Sequence, residues 1–249
     1  MSDVHCVHDP LLMVLSYLIS VLGSFVALQL AIAIPVAVDS AQRWRAVLSA
    51  GAAMGIGAIW SMHFIAMLAC QMHIPVAYDI GLTVLSAVLA LLACSAGLAI
   101  MGTGLFSWGK LTAAGIFMGG GVAAMHYTGM AAMLMPATTH YDLGIVALSV
   151  VIAVVASMAA LWLAFNLRGW LQMLGSALVM GVAVCGMHYT GMYAARFVPA
   201  EGAPLPAGFE QGIQGEYLGS TIFVVAAVLL AAMLVLNTIR QKRRAAVAI

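Results

Sequence analysis

The chain has 249 residues, 65% of them hydrophobic and only 7% charged, with a mean hydropathy of +1.11 and a net charge near +1. A soluble domain of this size cannot hide so much apolar surface, so the sequence reads as an integral membrane protein. Four cysteines without a CxxC pair exclude a disulfide scaffold, although Cys6 and Cys70 could meet outside the membrane.

A spanning helix needs ~20 apolar residues to cross a hydrocarbon core of ~30 Å. Seven stretches qualify, at residues 11–38, 46–70, 80–101, 111–135, 143–165, 171–198 and 217–239. Met1-Ser2-Asp3 lacks a basic leader, so the first run is a retained span. The breaks carry turn chemistry: Asp39-Ser40, Pro75, Gly102 to Gly109, Pro136, Asn166 to Gly169, and the Pro/Gly-rich stretch from Pro199 to Gly215. No segment alternates with a period of two, and no sheet is expected. The fold class is therefore all-α, with seven transmembrane helices.

Arg43 and Arg45, Lys110, Arg168 and the cluster Arg240, Lys242, Arg243 and Arg244 all fall on one side of these spans. The positive-inside rule makes that side cytoplasmic, which puts the N-terminus outside and the C-terminus in the cytosol of a plasma (inner) membrane. Trp44, Trp108 and Trp170 sit at the same boundary and read as interfacial anchors.

The chain repeats itself. Met125-His126-Tyr127-Thr128-Gly129-Met130 recurs letter for letter from Met187 to Met192, and Met62-His63-Phe64-Ile65-Ala66-Met67 is a looser copy. The histidines fall at positions 63, 126 and 188, a period that marks duplicated structural units. Tyr78-Asp79-Ile80-Gly81 and Tyr141-Asp142-Leu143-Gly144 follow the first two motifs at equal spacing, and Glu216-Tyr217-Leu218-Gly219 follows the third after an insertion. Three two-helix units, with one extra N-terminal helix, account for this. Asp79 and Asp142 read as helix caps. Each histidine lies 16 to 20 residues past the last basic residue of its helix, about 24–30 Å above it. Three parallel helices thus bring one histidine each to one level, in the outer part of the membrane.

Positions four apart share a helix face, which pairs His63 with Met67, His126 with Met130 and His188 with Met192. Met62, Met125 and Met187 point about 100° away, as a second layer. Gly129, Gly191 and Ala66 let helices approach closely. Tyr127, Thr128, Tyr189 and Thr190 add hydroxyls that could orient a ligand or a ring. Imidazole plus thioether is a soft donor set that favours copper, above all Cu(I), over hard ions, and Cys185 could add a thiolate in the third unit. Such a metal could take a diatomic gas as a further ligand. The competing reading is a cluster of structural histidines hydrogen-bonded between helices.

With its tripled motif, the chain resembles the MHYT domain family, bacterial membrane sensor modules named for this string. The resemblance covers nearly the whole chain. It implies a copper site formed by Met62, His63, Met67, Met125, His126, Met130, Met187, His188 and Met192, and sensing of oxygen, carbon monoxide or nitric oxide. Many relatives continue into cytoplasmic diguanylate cyclase or phosphodiesterase domains. Because this chain stops at Ile249, its output is expected to pass to a cytoplasmic signalling partner, unless the chain is a fragment.

Other residues are weaker candidates. His5, Cys6, His8 and Asp9 could capture a metal but read better as an unstructured terminus. His73 with Met72 and Cys70, and His140, read as solvated loop residues rather than a ligand relay. Gly119-Gly120-Gly121 lies within a span and reads as tight packing. The sequence contains no nucleotide-binding loop, no HExxH and no nucleophile–base spacing. An enzyme is not expected, and nucleic-acid binding has no support. Rival classes are a metal transporter or channel, which also uses repeats and mid-membrane ligands, and a haem protein with two histidines as axial ligands.

Overall fold

The computed structural model describes residues 6–72, 74–199, 204–215 and 217–247, without side-chain detail from residue 240 on. Seven helices make the fold. They are α1 (Pro10–Ala31), α2 (Ser40–Ala69), α3 (Ile80–Met101), α4 (Trp108–Ala131), α5 (Leu143–Asn166), α6 (Trp170–Tyr193) and α7 (Leu218–Val247). All but α4 are long and apolar enough to cross a membrane. At 24 residues α4 is ~36 Å long, ample for a span; its glycines, lysine and motif polar residues are what lower its hydropathy. The number of helices agrees with the seven expected stretches, but α1 ends at Ala31 and α6 at Tyr193, short of the expected 38 and 198, and α2 begins earlier because Asp39 caps it through Gln42 N.

The sequence pattern predicts no strands, but the structure contains six short ones. Three two-stranded antiparallel ladders close one end of the bundle: β1 (Val7–His8) with β2 (Cys70–Gln71), β3 (Ala77–Tyr78) with β4 (Met133–Leu134), and β5 (Ala137–Tyr141) with β6 (Ala195–Pro199). Strands of two to five residues are too short for a two-residue period to register. The bundle thus has a strand-bearing end, beyond the motifs, and an opposite end that carries Arg43, Arg45, Lys110 and Arg168.

These ladders reveal how the units close in space. In each, the strand before an outer helix pairs with the strand after a motif helix: α1 with α2, α3 with α4, α5 with α6. The same pairing recurs in three equivalent backbone hydrogen bonds, from Asp9 N to Ala69 O (2.8 Å), Asp79 N to Ala132 O (2.8 Å) and Asp142 N to Ala194 O (2.9 Å). All three aspartates then cap the helix that follows through their side chains. Seven residues beyond each cap stands a buried serine, Ser16, Ser86 or Ser149, bonded to its own helix backbone. A six-helix ring results, in which α1 packs between α6 and α2. The sequence repeat therefore runs from motif helix to following helix, while the spatial unit is closed by the N-terminal helix. Helix α7 packs outside the ring on α1 and α2, away from α6.

The N-terminus from Cys6 onward is ordered rather than unstructured, tied by β1 and by a disulfide between Cys6 and Cys70 whose Cα atoms are 5.2 Å apart. His5, His73 and Glu216 lie outside the described residues, as do the side chains of Arg240, Lys242, Arg243 and Arg244. Trp44, Trp108 and Trp170 are exposed at the opposite end, as interfacial anchors should be.

Candidate metal centre

The three motif helices converge where the sequence places their histidines. His63, His126 and His188 are each 1% exposed, with ring centroids 4.9, 5.0 and 5.2 Å apart. Their Nδ1 atoms face one another: His63 Nδ1 lies 3.0 Å from His188 Nδ1 and 3.1 Å from His126 Nδ1. This is the one cluster of three metal-ligating side chains found among the described residues.

Small residues make this approach feasible. A Cβ on Gly129 would collide with His63 Nε2, and one on Gly191 with His126 Nε2. The imidazoles of His63 and His126 are thus each seated against the backbone of the next motif helix around the ring. Close backbone approach is the usual role of small residues between membrane helices.

A neutral imidazole carries one N–H, so a ring of three inward Nδ1 atoms cannot satisfy itself by hydrogen bonding alone. The three Nε2 atoms are buried without a hydrogen-bond partner among the described residues. Three nitrogens around one transition-metal ion at bonds of about 2.0–2.1 Å stand ~3.3–3.5 Å apart, within a few tenths of the separations here. The residues present therefore fit a metal held by three Nδ1 lone pairs.

The six motif methionines divide into two layers. Met62, Met125 and Met187 line a cavity of about 40 Å³ together with the three histidines. Met67, Met130 and Met192 are equally buried but belong to a separate apolar cluster with Phe64, Tyr78 and Phe197, toward the strand-bearing end. Cys185 is a free, partly buried thiol that does not line the cavity, and Cys70 is engaged in its disulfide.

The motif hydroxyls that form hydrogen bonds do so away from the rings, Tyr127 with an outer helix and Thr190 with its own helix backbone. Tyr127 Oη pairs with Ser149 Oγ at 2.7 Å, and Thr190 Oγ1 donates to Gly186 O at 2.7 Å. Tyr189 has Ser16 as its neighbour, without an aligned hydrogen bond. The first unit has Phe64 in the tyrosine position, and there Trp60 Nε1 reaches the equivalent serine, Ser86, at 3.0 Å. Outside the spans, burial pushes the phenols of Tyr78 and Tyr141 above their ordinary range, Tyr127 adding to the effect at Tyr141. His8 packs edge-on to Tyr189, which packs edge-on to His188, so a line of rings runs from the terminal strand to the triad. His140 lies exposed on β5.

One feature of the helices escaped sequence reading. The segment Ala53–Trp60 of α2 is π-helical, which absorbs one extra residue per turn. Met54 precedes His63 by nine residues, whereas Met118 and Met180 precede their histidines by eight. The π-helical turn removes this offset, and Met54, Met118 and Met180 all line the same cavity. A Met-Gly pair repeated before each motif was the available signal.

The sequence matches the MHYT family, described as a bacterial signalling protein N-terminal repeat, over residues 57–114, 119–177 and 181–249. The chain belongs to the MHYT family. It is 39% identical over 244 residues to the bifunctional diguanylate cyclase/cyclic di-GMP phosphodiesterase MucR of Pseudomonas aeruginosa, covering 96% of this chain and 35% of MucR. It is 34% identical over 209 residues to the cyclic di-GMP phosphodiesterase NbdA of the same organism, covering 81% of this chain and 26% of that relative. Against the signaling protein YkoW of Bacillus subtilis it is 31% identical over 204 residues, 78% of this chain and 25% of YkoW. The chain thus spans about a third or less of these curated relatives. No solved structure matches it.

Proposed function

We propose that this MHYT chain is a membrane-embedded sensor that binds copper at the His63–His126–His188 centre and responds to oxygen, carbon monoxide or nitric oxide. The observation that carries the reading is the triangle of inward Nδ1 atoms, 3.0 and 3.1 Å apart, buried among thioethers with no carboxylate in the cavity wall. Soft and borderline donors of this kind select copper over magnesium or calcium. Met62, Met125 and Met187 share the cavity with the rings, and Met67, Met130 and Met192 form a second shell of thioethers outside it. Bound copper would supply a coordination position for a diatomic ligand, while the chain's own residues fix the rings and exclude water.

The relatives support signalling as the purpose, since their names assign them cyclic di-GMP synthesis and breakdown or signalling. On this reading the output passes to a cytoplasmic partner or to further domains, and this chain carries no chemistry of its own. The route out is α7, which meets the motif helix α2 at Gly57 and Leu230. The N-outside, C-inside orientation in a bacterial plasma membrane rests on the basic residues at the opposite end. The Cys6–Cys70 disulfide at the strand-bearing end supports it, because such bonds persist in oxidising compartments.

The test is the copper content of purified full chain against H63A/H126A/H188A. Loss of at least one copper per chain in the variant is expected; equal content in both would overturn the centre. Haem is disfavoured by geometry, since a cavity of about 40 Å³ beside rings in mutual contact leaves no room for a porphyrin. Transport is the second reading, and Met54, Met118 and Met180 favour it by extending soft donors inward. Copper uptake into liposomes, abolished in M54L/M118L/M180L, would replace sensing with transport.

A further inference from the structure

The motif describes one layer of the axis, but the cavity has a floor. Met54, Met118 and Met180 sit in equivalent places on α2, α4 and α6, 1%, 1% and 5% exposed. Their equivalence is maintained against the sequence, since α2 carries an extra residue that its π-helical turn absorbs. In α4 and α6 these methionines stand seven residues before Met125 and Met187, nearly two full turns and only about 20° apart around the helix. Both rings of methionine therefore face the same chamber, about 10 Å apart along the axis.

We infer that Met54, Met118 and Met180 form a second soft-cation site, separate from the histidine centre and selective for monovalent ions such as Cu(I) or Ag(I). Thioethers are soft, uncharged donors that bind d10 monovalent ions and have little affinity for hard divalent ones. The chamber wall holds no carboxylate to offset a second positive charge. Desolvation costs grow with the square of the charge, so one positive charge is far better tolerated at membrane depth than two.

The chamber is also dressed for a guest rather than filled like a core. Its volume of about 40 Å³ exceeds the ~10–15 Å³ a single water needs. Ser24, 1% exposed, lends the wall a hydroxyl whose Oγ has no hydrogen-bond partner among the described residues. The chamber thus offers a guest both room and a hydroxyl oxygen.

The site stands independently of the histidine centre, and the experiment separates the two. Full-length protein in lipid nanodiscs is titrated anaerobically with Cu(I), and in parallel with Ag(I), reading equivalents bound and the ligand shell by X-ray absorption. Wild type is expected to bind two equivalents. H63A/H126A/H188A should keep one, in an all-sulfur shell. M54L/M118L/M180L, a nearly volume-conserving change, should keep one in a shell containing nitrogen and fold as wild type by circular dichroism. If wild type binds a single sulfur-only equivalent that M54L/M118L/M180L abolishes, this inference stands and the histidine reading falls. If M54L/M118L/M180L binds as many equivalents as wild type, with sulfur and nitrogen counts unchanged, the second site is overturned.

Discussion

Helix α2 and its two counterparts, α4 and α6, do the same job with different means. The counterparts carry the full motif, run as regular α-helices and bond or abut the next outer helix through a tyrosine. Helix α2 has Phe64, Ile65 and Ala66 in place of tyrosine, threonine and glycine, reaches Ser86 through Trp60, and contains the π-helical turn. At the level of the rings all three keep the histidine and its two methionines; around and below it α2 departs from the pattern. It is also α2, with α1, that meets α7, the helix leading to the C-terminus. The lesson is that symmetry is kept where a ligand would be held and relaxed where a signal would leave. Trp60 stands at that border, packed on Phe64 at 4.9 Å on one side and lining a groove against α7 on the other.

The largest effect concerns the staple unique to the first unit. The Cys6–Cys70 disulfide closes a loop across α1 and α2, while the other two units rely on strand ladders alone. C6S/C70S should lose about 2–4 kcal/mol of stability, read as a lowered unfolding midpoint in detergent that equals that of reduced wild type. A midpoint unchanged by both reduction and substitution would show that β1–β2 alone suffices and the units are equally tied.

Next comes the seating of the rings. Gly129→Ala and Gly191→Ala put a methyl group against His63 and His126, and overpacking of this kind costs about 1–3 kcal/mol. Copper content should fall with stability in both. Ala66→Gly, at the looser copy, removes a methyl instead and should cost less than about 1 kcal/mol with copper retained. Equal losses from all three would break the distinction between the copies.

The π-helical turn gives a sharper contrast with a smaller expected effect on the metal. Deleting Ile56 restores the eight-residue spacing of α4 and α6, so Met54 and His63 should keep their register and copper content should hold. The Gly57–Leu230 contact with α7 should be lost, and a cysteine pair introduced there should no longer cross-link. Loss of copper on this deletion would mean that the turn itself shapes the centre.

How much of this was legible depended on what each residue had to do. The spans, the histidine layer and the small residues beneath it were readable because hydropathy, a 62- to 63-residue period and tight packing leave strong marks on composition. The caps at Asp79 and Asp142 were readable for the same reason, as a carboxylate before an apolar run. The ring closure was not. The third copy of the Tyr-Asp-aliphatic-Gly string is matched in sequence by Glu216 to Gly219, but in space by His8-Asp9-Pro10, which shares only the aspartate. A cap needs one carboxylate and leaves its neighbours free to diverge. Met54 was hidden by a one-residue insertion, which shifts a pattern without erasing it. The strands were hidden by their brevity.

The smallest expected effect tests whether Trp60 truly stands in for the missing tyrosine. Both Trp60 Nε1 and Tyr127 Oη reach a serine that already donates to its own helix backbone, so removing either partner orphans no buried serine proton. Each pair should therefore contribute a net hydrogen-bond energy of about 0.5–1.5 kcal/mol. The appropriate measure is the coupling in two double-mutant cycles, W60F with S86A and Y127F with S149A, which cancels the larger volume change at tryptophan. Equal couplings would make the first unit chemically equivalent to the second despite its altered letters. A coupling near zero for Trp60 and Ser86 alone would leave α2 anchored by packing on Phe64, freer to turn against α7 than α4 is against α5.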